Sequence, residues 1–204
     1  LRKSLNYIQE NKLQYLYSLG EKFFLFWNGP EIKRNTNIYY SRIHSQLLSI
    51  TLWDKWISFP FGIVAPLALL GIGATWRHYK EPFPILHIYT ASYIISILLF
   101  FVTSRYRMPL LPILVCFSAV GGQFILNQLF SSTTKNKFKT IMIFLGLLVA
   151  CNWNKAPQID KDAQLYFDLG EVALRDKHYE LSEKHSRNAL RLDPYYNYAR
   201  HNLA

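Results

Sequence analysis

Hydrophobic and polar positions divide the chain into three stretches. Over residues 1–27, Leu5, Ile8, Leu13, Leu16, Leu19, Phe23 and Phe26 recur at steps of three, four or five residues. Arg2, Lys3, Glu10, Lys12 and Lys22 fall between them, which predicts an amphipathic helix. The apolar run from Phe23 to Trp27 is too short to cross a bilayer, so this helix is expected to lie at an interface. Asn28-Gly29-Pro30 is a turn signal that ends it. A polar stretch from Glu31 to Ser45 follows, and amphipathic character returns in Leu47–Trp53. Residues 1–55 thus read as an interfacial, extracytoplasmic segment, with Trp53 and Trp56 marking the entry to the next stretch.

The middle stretch is a different solvent problem. Ile57–Trp76, Phe83–Ser104, Met108–Thr134 and Thr140–Asn154 contain no Lys, Arg, Asp or Glu. Soluble domains rarely carry one such window. Residues 56–154 are therefore expected to form a transmembrane domain with spans at about 57–75, 83–103, 108–130 and 138–153. The last would be only about 24 Å long as a helix, the shortest fit to a core of roughly 30 Å. In the first span, Gly62, Ala65, Gly71, Gly73 and Ala74 suit close helix contacts.

After Pro157 the pattern becomes that of a soluble helical domain, 158–204. Residues 163–196 fit one 34-residue tetratricopeptide repeat. Leu169-Gly170 takes the Leu-Gly place in the first helix and Tyr166 the large apolar place before it. Ser182 takes the small-residue position, Ala189 the alanine of the second helix and Pro194 the terminating proline. Asp176-Lys177-His178-Tyr179 is the turn between helices, and a second repeat starts near Asn197 and is cut at Ala204. One repeat cannot bury its own face, so further repeats are expected beyond the end. The chain opens on Leu1 rather than Met, and it reads as a piece of a longer protein. The fold class expected is all-α: interfacial helices, about four membrane spans and a tetratricopeptide hairpin.

Charge then orients the spans. The chain has 23 Lys and Arg against 13 Asp and Glu, a formal charge of +10. The excess beside apolar runs is the usual topological signal, and no RNA-recognition pattern accompanies it, so nucleic acid is not an expected partner. The 77–82 and 131–139 loops share a face and carry two and three Lys/Arg; the Arg105 turn lies opposite with two. The positive-inside rule puts the first pair in the cytoplasm, and the Arg105 turn, the N-terminal segment and the repeat region outside. Eight Lys and Arg in residues 1–55 pull the other way. Cys116 and Cys151 have no metal-ligand spacing, and of the six histidines only His87 lies within a span, where a hydrogen-bonded packing role is expected. No metal site is expected.

The chemistry concentrates in Ser104-Arg105-Tyr106-Arg107-Met108-Pro109, between the second and third spans. Two guanidinium groups at a membrane face either snorkel to the interface as anchors or pair with an anion, for which a phosphate headgroup is suited. Arg105 and Arg107 are candidate phosphate ligands, with Tyr106 hydrogen-bonding the same group or packing beneath it. Glu31 is either an exposed turn carboxylate or a contact to a sugar or a cation.

Residues 21–153 resemble the late spans of bacterial membrane glycosyltransferases of the C superfamily, the group of protein O-mannosyltransferases and aminoarabinose transferases. The resemblance rests on Lys22 through Ile32, with its aromatic run, Asn28 and Glu31, and on Ser104 through Pro112, similar to the family's Arg-Tyr-Arg-x-Pro-x-x-Pro run. Several such enzymes also carry tetratricopeptide repeats after their last span. The resemblance implies sugar transfer from or to a polyprenyl-phosphate lipid at the bacterial inner membrane, with Arg105, Tyr106 and Arg107 at the lipid phosphate. It implies a divalent cation only as an option for the full-length enzyme. The family's catalytic acidic pair lies in its first outer loop, and this chain has no matching segment. No catalytic residue is therefore assigned, and the fragment alone is expected to be inactive. The alternative is a membrane-anchored tetratricopeptide scaffold that binds a protein or peptide. A transporter is the weaker third class, since no span carries an internal charge.

Overall fold

A computed structural model describes residues 9–32, 38–43, 45–53, 56–76, 83–100, 102–131, 134–153 and 162–203. Among them the chain is helical and contains no strand. It divides into two compact units, residues 1–34 with 50–155 and residues 35–49 with 156–204. The expected connecting loop 77–82 and the linker 154–161 lie outside the described residues.

The first unit is built around α3 (Phe61–Thr75), which packs against α6 (Leu111–Ser131) and α7 (Thr134–Asn152). The contact between α3 and α6 depends on glycine. A Cβ at Gly71 would collide with the Phe117 carbonyl, and one at Gly121 with the Leu67 carbonyl. The two backbones thus approach where neither carries a side chain, as small-residue stripes allow. Ser118 Oγ crosses the same seam to donate to the Val64 carbonyl at 2.7 Å. Gly73 has open space around its Cβ position and takes no part. Around α3 the core gathers Phe61, Ala65 and Ala68 with Ile94 and Ile97 of α4 (Phe83–Leu99), Leu114 and Phe117 of α6, and Cys151 of α7.

The N-terminal amphipathic helix joins the bundle through its last turn. As α1 (Lys12–Trp27) it leaves Leu13, Leu16 and Tyr17 exposed, yet its last turn buries Phe26 and Trp27 in the core. The end of the aromatic run thus plugs the bundle. A short helix, α2 (Gln46–Thr51), covers part of Leu47–Trp53 and buries none of its residues. The first apolar run becomes helical only at Phe61, because Trp53 and Phe59 exchange backbone hydrogen bonds of 3.3 and 3.1 Å and hold the entry as a loop. The third run starts earlier than expected: α5 (Ser104–Arg107) and a 3-10 turn over Met108–Leu110 lead straight into α6. Ser104–Phe130, 27 residues, is the one described helix long and apolar enough to cross a membrane. Phe61–Thr75 and Phe83–Leu99 are shorter apolar helices.

His87 joins α4 to α3. Its Nδ1 lies 2.7 Å from the Phe83 carbonyl, and its Nε2 faces the Ile72 carbonyl at 3.3 Å.

The second unit is a helical hairpin, α8 (Ala163–Arg175) and α9 (Tyr179–Leu192), followed by α10 (Asn197–His201). Asp162 caps α8 by accepting from the Leu165 N–H at 3.2 Å. At the other end His178 N–H donates to the Ala173 carbonyl at 2.8 Å and Lys177 N–H to the Leu174 carbonyl at 3.0 Å. This is a Schellman closure, and Lys177 sits in the left-handed region at φ 62° where glycine is usual. Where the helices cross, Ser182 Oγ donates to the Gly170 carbonyl at 2.9 Å, and a Cβ at Gly170 would press on Ser186. Phe167, Tyr196 and Tyr198 form an aromatic cluster with centroids 5.6 to 6.0 Å apart. Tyr39 belongs to this unit and is buried, with the Arg42 guanidinium 5.3 Å from its ring.

Candidate lipid-phosphate site

One end of the helical bundle brings together the start of α3, the end of α4, the Ser104 turn and the end of α7. The segment after α1 is threaded between them. Gly29 N–H donates to the Cys151 carbonyl at 2.6 Å, and its Cα faces the Asn152 side chain and Gly62 so closely that a Cβ would not fit. Asn152 is the rivet: Oδ1 accepts from the Ser58 N–H at 2.8 Å, and Nδ2 donates to the Gly62 and Leu148 carbonyls, each at 2.9 Å. Nothing in the sequence singled out Asn152 beyond its being a polar residue that ends an apolar run.

Arg107 closes the same loop from the other side. Nη1 donates to the Phe26 carbonyl at 3.3 Å and the Asn28 carbonyl at 2.7 Å. Nη2 donates to the Pro30 carbonyl at 3.3 Å, Ser104 Oγ at 3.0 Å and Glu31 Oε2 at 3.1 Å. The guanidinium lies 4.1 Å from the Phe61 ring centroid, and the residue is 2% exposed. A planar five-donor fork suits this cradle of carbonyls, which a lysine ammonium would satisfy only in part. Ser104 also accepts from the Ile32 N–H through Oγ at 2.6 Å, and its own N–H returns to the Ile32 carbonyl at 3.3 Å. Trp27 Nε1 and Asn28 Nδ2 are buried beside this knot with no hydrogen-bond partner among the described residues.

The expected site residues therefore separate. Arg107 faces inward, occupied by the chain's own carbonyls and by Glu31, whose side chain is 20% exposed. Glu31 is neither a free turn carboxylate nor a group open on all sides. Arg105, two residues before, is exposed and makes no hydrogen bond or ion pair with any described residue. Tyr106 is half-buried, and its carbonyl accepts from the Tyr93 hydroxyl at 3.1 Å. Tyr93, Ser96, Ile97, Phe100 and Tyr106 line a cavity of about 260 Å³, mostly apolar, on the same turn as Arg105. Lys22, which the sequence places before the aromatic run, reaches the end of α4 and donates to the Leu98 carbonyl at 3.2 Å and the Phe100 carbonyl at 2.8 Å. It neutralises the helix terminus that borders the cavity.

No group of three His, Cys, Asp or Glu that could hold a metal occurs among the described residues. Chemically, this end of the bundle offers an exposed guanidinium, Arg105, with no partner among the described residues, one position before Tyr106 of the apolar cleft. No family model matches the chain, and no curated protein or solved structure matches it.

Proposed function

We propose that the chain forms the lipid-phosphate-binding part of a multi-pass membrane glycosyltransferase that takes a sugar from, or gives it to, a polyprenyl-phosphate lipid. The observation that carries the reading is Arg105: an exposed guanidinium with no partner among the described residues, adjacent in sequence to Tyr106 of the apolar cleft, on a helical turn held by Arg107. A polyprenyl phosphate has the matching parts, an anionic head and an apolar chain. Arg105 supplies charge-assisted hydrogen bonds to the phosphate, and Tyr93, Ile97, Phe100 and Tyr106 pack along the first apolar units. A phosphate leaving group gains from such a fixed cation as negative charge develops on it. In this reading Arg107 is a positioning residue, and Glu31 serves to hold it rather than to contact sugar or cation. The chemical step is assigned to no described residue.

Membrane insertion by more than one span is supported by the outer surface of the bundle. Ile88, Ile95, Val115, Leu126, Leu145 and Val149 are exposed on α4, α6 and α7. Exposed tryptophans lie at both ends, Trp56 and Trp153 at the Arg107 end and Trp76 at the other, as interfacial aromatics do. The helix α7 runs 19 residues, about 28 Å, longer than its apolar stretch alone. We read α8–α10 as one tetratricopeptide repeat and the start of a second, a module for a protein or peptide partner, since Gly170, Ser182 and Ala189 all fall in the hairpin seam. That seam equally fits the scaffold reading, in which the spans only tether the repeats.

Sugar transfer from purified lipid-linked donor, by the full-length protein and its Arg105→Gln variant, separates the two. The transferase reading expects turnover to fall roughly 30- to 1000-fold in the variant at equal folded protein. Turnover unchanged by the substitution, or absent from the unaltered protein with every donor tested, removes it and leaves the scaffold.

A further inference from the structure

At the opposite end of the bundle a second cleft opens between α3, α6 and α7, with a volume of about 320 Å³. Leu70, Phe124 and Ile143 are its apolar lining, and Gln128, Asn136, Lys139 and the buried Thr140 its polar lining. Lys139 is exposed and makes no ion pair or hydrogen bond with any described residue. Phe130 and Phe138 beside it are exposed aromatics at the level where α6 ends and α7 begins. The charge around this end is one-sided. Among the described residues at this end, Lys137 and Lys139 are the charged side chains, and no Asp or Glu accompanies them. A cleft that sets an apolar lining beside an exposed lysine, at an aromatic-marked helix end, matches the two parts of a phospholipid.

We propose that this cleft binds one anionic glycerophospholipid, its phosphodiester paired with Lys139 and hydrogen-bonded by the Asn136 amide, and its first acyl carbons against Phe124 and Ile143. The inference rests on the membrane reading above, but it concerns the other end of the bundle from Arg105 and asks for a different lipid. Basic clefts between membrane helices recognise such headgroups because the ammonium and the phosphate attract in a thin, poorly screened layer. Occupancy would bridge α3, α6 and α7, each of which lines the cleft.

The test uses the full chain in a zwitterionic detergent, titrated with phosphatidylglycerol, with phosphatidylcholine or with inorganic phosphate, and bound lipid counted by native mass spectrometry. Phosphatidylglycerol is expected to bind at least about fivefold more tightly than phosphatidylcholine, the equivalent of one lysine near a headgroup. Lys139→Gln should erase the preference and Lys139→Arg keep it. Ile143→Trp, which keeps the charge and fills the cleft, should also erase it. A preference that survives both Lys139→Gln and Ile143→Trp overturns the proposal. So does equal binding of the two lipids, or displacement of phosphatidylglycerol by inorganic phosphate at like concentration, which would make the site a free-anion site. A chain that stays in solution without detergent and does not associate with phosphatidylcholine vesicles would instead remove the membrane reading itself.

Discussion

The Arg107 guanidinium donates to the Asn28 carbonyl at 2.7 Å, across 79 residues of sequence. This contact ties the exit of the first helix to the entry of the longest apolar one. It converts a residue that sequence pattern offers as a ligand into part of the frame. The same fork reaches the Phe26 and Pro30 carbonyls, Ser104 and Glu31, so losing it orphans several groups at once.

Replacing Arg107 by alanine should therefore destabilise the bundle by about 3–5 kcal/mol, the range seen when one partner of a buried pair is removed. Lysine should recover part of the loss, keeping the charge for Glu31 but not the reach to three carbonyls. Thermal unfolding in a fixed detergent, with Glu31→Gln as a companion, reads the effect. The double change should cost less than the sum of the singles, because the two groups share one contact.

Why the arginines part company follows from helix geometry. Residues two apart on an α-helix point about 200° away from each other, so a helical turn through Ser104–Arg107 must turn one arginine in and the other out. The sequence shows two apolar runs and two cations between them, which reads as a loop with both side chains free. That Ser104–Arg107 is helical depends on the Ser104–Ile32 bonds, a long-range contact with no local signal. The glycines of the first apolar run were legible as a packing stripe, and Gly71 serves as one. Gly73 does not, and the partner of Gly71 across the seam, Gly121, had no pattern to mark it. Asn152 and the burial of Phe26 were illegible for the same reason: each is decided by what comes to meet it.

The hairpin turn offers a local test. Lys177 holds a left-handed conformation that an L side chain resists, at a C′ position where glycine is preferred. Lys177→Gly should raise the stability of the C-terminal unit by about 1 kcal/mol, read as a higher denaturation midpoint at unchanged cooperativity. Lys177→Val, with a branched Cβ in the same conformation, should lower it.

The C-terminal unit should also weaken in mild acid. His185 stacks on Tyr166 with ring centroids 6.1 Å apart, and its Nδ1 is buried with no partner among the described residues. Burial first, and then the Lys184 ammonium, hold its pKa below the ordinary 6.5. The unfolded chain thus takes up this proton more readily than the folded one. The stability tied to the neutral ring is whole above pH 6.5 and is lost as pH falls through the lowered folded value. Denaturation midpoints of the C-terminal unit between pH 7.5 and 5.5 should fall less steeply in His185→Gln than in the unaltered chain. Parallel slopes would assign the acid sensitivity to other groups.

The division of labour between the two arginines is tested most directly by binding. The full chain in phosphatidylcholine nanodiscs is titrated with a short polyprenyl phosphate, and each variant's unfolding midpoint is measured alongside. Arg105 is exposed and has no partner among the described residues, so Arg105→Gln should leave the midpoint unchanged while weakening binding by roughly 10- to 100-fold, the loss of a charge-assisted contact. Arg105→Lys should fall between the two. Wild-type affinity in Arg105→Gln would contradict the account, whatever Arg107 does, and would leave Arg105 as an interfacial anchor.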